Sequence, residues 1–330
     1  MKERLSAVMV LIGTFIGAGF ASGQEVLQYF GVFGKFAIFG VAISCFLMGI
    51  FIYSVADNIM CMGEKEYLNS LCSHKWMKIM LNCYMLLMFS TMITAFGESV
   101  EQVWNIPKIY GVVLIDVLTC LILYFGAQGL IRFNSLVTPL IIGGIVFSFF
   151  VCNCTEVFEY NNFISSAVVY TSYNVISMPF VITGLNNMLK TKKDNIICSG
   201  IFGLVVFGLS LCMLNILKNA DASVSIPLLS AIDGKYALVV VAILALSMIT
   251  TAVSNGYGFE ENIFLNKKIT ILFLGVFGIV FSAFDFSFIV GSLYRFFGIM
   301  GIYILIKNFY IFAKNREKPR KIEKTFNNRF

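Results

Sequence analysis

The stretch Gly13-Thr14-Phe15-Ile16-Gly17-Ala18-Gly19-Phe20-Ala21-Ser22-Gly23-Gln24-Glu25 sets four glycines and one acid inside an apolar segment, Leu5 to Phe30. Each glycine costs a helix about 1 kcal/mol against alanine. In lipid, unpaired backbone groups find no water, so a broken helix survives only where protein buries it or where it lines a cavity. Such a break offers amides and carbonyls at membrane depth, the groups by which transporters hold small solutes and ions. A second place of this kind is Tyr170-Thr171-Ser172-Tyr173-Asn174-Val175-Ile176-Ser177-Met178-Pro179. There a polar cluster runs into a proline, which removes one backbone hydrogen bond. Charged residues at membrane depth are costly and are candidates by default. Glu25, Arg295 and Asp116 are the three that stand out.

These residues need a membrane scaffold, and the composition supplies one. The chain has 330 residues, of which 58% are hydrophobic and only 13% charged. That charged share is about half the usual one for a soluble domain. With a mean hydropathy of +0.86 the chain reads as an integral membrane protein. A bilayer core of about 30 Å needs about 20 apolar residues per helix. Ten segments meet that requirement, approximately 5–30, 36–56, 76–96, 107–125, 133–151, 163–185, 196–217, 236–257, 269–284 and 288–312. The first begins after Lys2 and Arg4 without a cleavage site and is expected to be retained.

Lysines and arginines accumulate in cytoplasmic loops. With the N-terminus inside, only Lys35, Lys108, Lys218 and Lys235 of the 24 basic residues fall in outer segments, and Arg295 stays within the last helix. The asymmetry predicts ten helices with both ends cytoplasmic. The net charge of +6 is therefore a topology signal rather than a mark of nucleic-acid binding. The basic tail, residues 314–330, is an anchor that can touch anionic lipid. The nine cysteines lack metal spacing and read as buried residues. The lone histidine, His74, lies in a polar loop.

The ten segments divide into two sets of five, residues 1–152 and 153–313, joined by a polar acidic stretch. Because five is odd, the second set enters the membrane from the opposite side, as in an inverted-topology repeat. A break in helix 1 then predicts a break at the matching place in helix 6. The Tyr170–Pro179 cluster stands there.

The Gly13–Glu25 opening resembles that of the bacterial YkvI-type membrane proteins, regarded as amino-acid permeases. More broadly, the ten-helix plan is similar to the amino acid–polyamine–organocation superfamily, whose members share the LeuT fold. The resemblance implies a 5+5 inverted repeat with a central site between broken helices 1 and 6. It implies that Gly17, Ala18 and Gly19 hold a solute carboxylate with freed amides at the positive end of a half-helix. Thr171, Ser172, Tyr173 and Asn174 would supply hydroxyl, ring and amide contacts. Tyr84, Ser90, Thr91 and Thr94 of helix 3 are candidates to complete the pocket.

Ser247-Met248-Ile249-Thr250-Thr251 in helix 8 resembles the stretch of sodium-coupled members that gives one carbonyl and two hydroxyls. The same resemblance maps two helix 1 carbonyls to Gly13 and Ile16. A sodium ion would be the only bound cofactor. Adjacent threonines often bond back to their own helix instead. No Lys or Arg stands in helix 5 near the expected depth, which favours sodium over proton coupling. In this fold the outer halves of helices 1 and 10 face each other, so Glu25 and Arg295 are expected to pair when the outer vestibule closes. A static ion pair, or Arg295 bonded to Asp285, is the plainer alternative. Asp116, on peripheral helix 4, is expected to have a structural partner.

The expected function is cation-coupled secondary transport of a small amino acid or related zwitterion by alternating access. The alternative is a transporter-like amino-acid sensor resembling germinant-receptor subunits. No nucleophile–base pair, metal cluster or phosphate loop points to an enzyme, and no ATP-binding motif points to a primary pump. The oligomeric state is left open.

Overall fold

The computed structural model describes residues 2–31, 36–152, 163–220, 224, 226–263 and 266–317. Lys35, the acidic linker 153–162 and the tail beyond residue 317 lie outside the described residues. The elements run α1 (Lys2–Phe15), α2 (Ala18–Ala21), α3 (Gln24–Phe30), α4 (Ala37–Met62), α5 (Glu64–Leu71) and α6 (Lys75–Trp104). Next come α7 (Lys108–Leu123), α8 (Gly126–Val151), α9 (Phe163–Asn174), α10 (Met178–Gly184) and α11 (Lys192–Ile216). The chain closes with α12 (Pro227–Ser230), α13 (Ala237–Asn262), α14 (Lys267–Phe281), α15 (Phe286–Ile289) and α16 (Arg295–Glu317). No strand occurs among the described residues.

Six helices are long and apolar enough to cross a membrane unbroken. The four other expected segments take two forms. α7 and α14 hold 16 and 15 residues, shorter than a full span. The first and sixth segments are interrupted, as α1–α2–α3 and α9–α10.

Burial sorts the helices. α6 and α13 are 72% and 67% buried along their most apolar stretches and form the centre. α8 is only 33% buried there. Leu114, Val117 and Leu121 of α7 and Leu272, Val276 and Val280 of α14 are exposed apolar residues, as lipid-facing helices require. α1 packs against α8, α11 and α13, and α9 packs against α4 and α16. Glycines allow the closest crossings. A Cβ on Gly301 of α16 would fall on the Ser172 carbonyl of α9. Small residues at such seams are how helices pack in lipid, where burial itself gives no drive.

Candidate functional site

The helix 1 break is built from its glycines. The α1 ladder ends with Ile16 N donating to Ile12 O at 2.9 Å. Gly17 N turns to Phe15 O at 2.8 Å, so the Gly13 carbonyl loses its helical donor. Gly17 itself is extended, with φ −90° and ψ −172°. Gly23 has φ 84°, a left-handed conformation that favours glycine, and starts α3. A Cβ on Gly17 would stand 3.1 Å from Thr251 Cγ2 and 3.3 Å from Met92 Sδ, so glycine lets α13 and α6 close on the break.

The hydroxyl of Thr251 meets the freed carbonyls. Its Oγ1 lies 3.2 Å from Gly13 O and 3.3 Å from Thr14 O, sharing one proton between them. Thr14 Oγ1 and Ser254 Oγ are 2.8 Å apart, and Asn134 Nδ2 of α8 donates to Ser254 Oγ at 3.3 Å. Thr138 Oγ1 donates to Met9 O at 2.9 Å. Thus α1, α8 and α13 are joined around the break by small polar groups. Ser247 and Thr250 use their hydroxyls on α13 itself, toward Leu244 O at 2.8 Å and Ser247 O at 2.7 Å. The Ile16 carbonyl receives no backbone donor among the described residues. Asn134, Thr138 and Ser254 are site residues that sequence reading missed. The four-residue spacing of Asn134–Thr138 and Thr250–Ser254, which puts each pair on one helix face, was the available signal.

The helix 6 break falls at residues 175–177. Pro179 sits in the first turn of α10, where its missing N–H costs nothing. The polar cluster before the break is divided by helical spacing. Thr171 Oγ1 donates to Ala167 O at 2.8 Å and lies 3.4 Å from Ser44 O of α4. Ser172 Oγ donates to Val168 O at 2.7 Å. Both expected solute contacts are therefore turned toward their own and neighbouring helices. Tyr170, Tyr173 and Asn174 take the other face, at i, i+3 and i+4, and Asn174 Nδ2 also bonds back, to Tyr170 O at 3.0 Å. Tyr84 Oη donates to the Tyr173 carbonyl at 3.0 Å. Ser90, Thr91 and Thr94 bond back to carbonyls of their own helix.

The amides expected to hold a carboxylate are mostly engaged. Gly17 N is bonded to Phe15 O, and Ala18 N lies 3.0 Å from Met92 Sδ. Over Gly19 the neighbouring group is the Glu25 carboxyl, which a Cβ at Gly19 would strike. Glu25 is 2% exposed, and its Oε1 accepts from Tyr173 Oη at 3.0 Å.

Glu25 and Arg295 do not pair in this structure, because Tyr173 holds the carboxylate while Arg295 opens α16 as an exposed residue. A π-helical turn, Val290–Tyr294, immediately precedes Arg295, and its last residue, Tyr294, is buried. Tyr294 stacks on Tyr173 with centroids 4.4 Å apart. Asp116 is buried between α7 and α14, where Gly275 and Gly278 make room for its carboxyl.

Two closures flank the break. At one end α12 caps it, with Leu228 N donating to Ser22 O at 2.9 Å and Gln24 Nε2 to Val224 O at 3.0 Å. At the amino-terminal end of α1, Arg4 pairs with Asp194 of α11. Beneath that pair the buried Cys198 directs its thiol at Arg4 O, 3.7 Å away. Arg4 is 39% exposed, so the pair is worth about 1 kcal/mol. Arg4→Gln should therefore speed maleimide labelling of Cys198 about five-fold, followed by peptide-resolved mass spectrometry. An unchanged rate would mean that the pair does not hold α1 down.

No family model matches the chain. The chain is 24% identical over 317 residues to the uncharacterized protein YyaD of Bacillus subtilis strain 168, across 91% of this chain and 94% of that protein. It is 22% identical over 321 residues to the uncharacterized membrane protein YkvI of the same strain, across 89% and 91%. Among solved structures, Mhp1, a nucleobase-cation-symport-1 family transporter, superposes with a TM-score of 0.57 at 10% identity, covering 88% of this chain and 74% of that one. The chain shares that fold. A Na+-coupled sialic acid symporter gives 0.56 at 14% identity, over 92% and 77%. The manganese transporter of Eremococcus coleocola gives 0.59 at 11% identity, over 94% and 76%. The chain is thus a multi-pass membrane protein that shares its fold with small-solute and ion transporters.

Proposed function

We propose that the chain is a cation-coupled secondary transporter of a small amino acid or related amine-bearing zwitterion. In this reading all ten segments cross the membrane, both termini are cytoplasmic, and residues 1–152 and 153–313 form inverted repeats. The repeats rock about the two broken helices to expose the site to each side in turn. The observation that carries the reading is Thr251 Oγ1 set against the carbonyls of Gly13 and Thr14, which the helix break leaves without backbone donors. Sodium, a hard cation that takes several oxygens at short range, fits this set of neutral oxygens. Gly13 O, Ile16 O and Ser247 O with the Thr250 and Thr251 hydroxyls would hold it, Thr250 turning from Ser247 O toward the ion. Tyr173, Asn174, Tyr84 and the Gly17–Gly19 turn form the adjoining solute site, with Glu25 above them. Glu25 and Arg295 remain a proposed outer gate in a conformation where Arg295 swings inward.

The test is sodium alone. Purified protein should bind radioactive sodium saturably in detergent, with potassium failing to compete. Binding that potassium displaces equally well would remove sodium as the coupling ion.

A further inference from the structure

Glu25 is a buried carboxyl with half of its hydrogen-bonding capacity unused. It is 2% exposed, Tyr173 Oη serves its Oε1, and its Oε2 has no hydrogen-bond partner. No described lysine or arginine forms an ion pair with it, Arg295 being exposed. A buried carboxylate left in that condition costs several kcal/mol unless a positive charge faces it. Five tyrosines from four different elements gather around it: Tyr173 bonds it, Tyr29 follows one turn later on α3, and Tyr84, Tyr170 and Tyr294 pack against the rings of those two. Their rings are packed on one another, Tyr29 to Tyr170 at 5.3 Å, Tyr84 to Tyr173 at 6.2 Å and Tyr173 to Tyr294 at 4.4 Å.

That wall suits one kind of cation. A small hard ion wants a shell of oxygens at about 2.4 Å, and most of this wall is ring carbon. An organic ammonium group is larger, brings its own alkyl surface and is attracted by aromatic faces, by about 2 kcal/mol once desolvated. A carboxylate on the solute is disfavoured here. The Gly17 and Ala18 amides already have partners, and the Glu25 carboxyl lies over Gly19, where like charge would repel it.

We propose that the central site recognises its solute through an organic ammonium group, countered by the Glu25 carboxylate and enclosed by the tyrosine rings, with no carboxylate required on the solute. This rests on the transport reading only in taking the helix 1–helix 6 break as the solute site.

The experiment uses matched pairs that differ by a carboxylate: choline against glycine betaine, and ethylamine against L-alanine. Binding to purified protein is followed by thermal shift and by calorimetry. In at least one pair the amine should bind ten-fold or more tighter than its carboxylated partner. Glu25→Gln should weaken that amine ten-fold or more. Tyr29→Leu should weaken it too, whereas Tyr29→Phe should not, since the Tyr29 hydroxyl has no partner to lose. The Tyr29 variants decide the matter if Glu25→Gln does not fold. Tighter binding of the carboxylated members would overturn the proposal. So would Glu25→Gln binding the amine as well as the parent, the result expected of a permanently protonated Glu25. Flux measured separately distinguishes the two readings. Sodium-driven flux of a zwitterion that ignores the amines leaves transport standing and ends this proposal. Amine binding without flux under any gradient does the reverse.

Discussion

Thr251→Val should raise the sodium concentration for half-maximal binding at least ten-fold while leaving the protein folded. The exchange keeps the volume of the side chain and removes its hydroxyl. That hydroxyl stands at 3.2 Å and 3.3 Å from two carbonyls that the helix break strips of backbone donors. A polar contact to a charged partner is worth about 1.5–3 kcal/mol, or roughly 10- to 150-fold in affinity. Thr250→Val should act in the same direction. Its hydroxyl now serves Ser247 O at 2.7 Å and must turn to reach an ion, so its effect should be smaller. Sodium titrations of both variants and the parent, read by isotope binding, measure this. Equal affinities in all three would exclude the two threonine hydroxyls from the ion site.

Gly301→Ala should destabilise the protein by about 1–3 kcal/mol, although it lies outside the site. The new Cβ would fall on the Ser172 carbonyl, which is backbone and cannot rotate away. Nearby, a Cβ on Gly298 would meet the Val169 side chain and, at 2.9 Å, its carbonyl oxygen. α16 must therefore lift off α9, and overpacking of this kind costs about 1–3 kcal/mol. The same separation would disturb Tyr294 on Tyr173, since Tyr173 belongs to α9 and Tyr294 immediately precedes α16. Gly291, whose Cβ would meet nothing within 4 Å, is the control. Thermal unfolding in detergent should show a clear drop for Gly301→Ala and little change for Gly291→Ala. Equal midpoints would mean that the α9–α16 seam has slack.

What the sequence showed and what it hid divide along physical lines. The break at Gly13–Gly23 was legible because glycines in a lipid-spanning helix carry a penalty that only function or close packing offsets. The proline in helix 6 marked its break to within a turn. The partners across helices were hidden. Thr171 and Ser172 look as available as Tyr173 in sequence, and only the packing of α4 and α16 against α9 settles which way each faces. The facing of Arg295 was hidden for a further reason. The π-helical turn Val290–Tyr294 adds a residue to one turn and rotates the facing of α16 by about 100°. No hydrophobic periodicity announces such a turn. Asn134 and Ser254 read as ordinary polar residues of α8 and α13 until the fold puts them 3.3 Å apart beside Thr14.

Electrical recording on proteoliposomes fused to a solid-supported membrane is the decisive measurement for coupled transport. Common amino acids and their decarboxylated amines are applied one at a time, with sodium or with potassium. A transient positive current is expected for at least one solute, present with sodium, absent with potassium and lost in Thr251→Val. A solute that binds the purified protein yet moves no charge and no label under any cation gradient would contradict transport and identify the chain as a sensor.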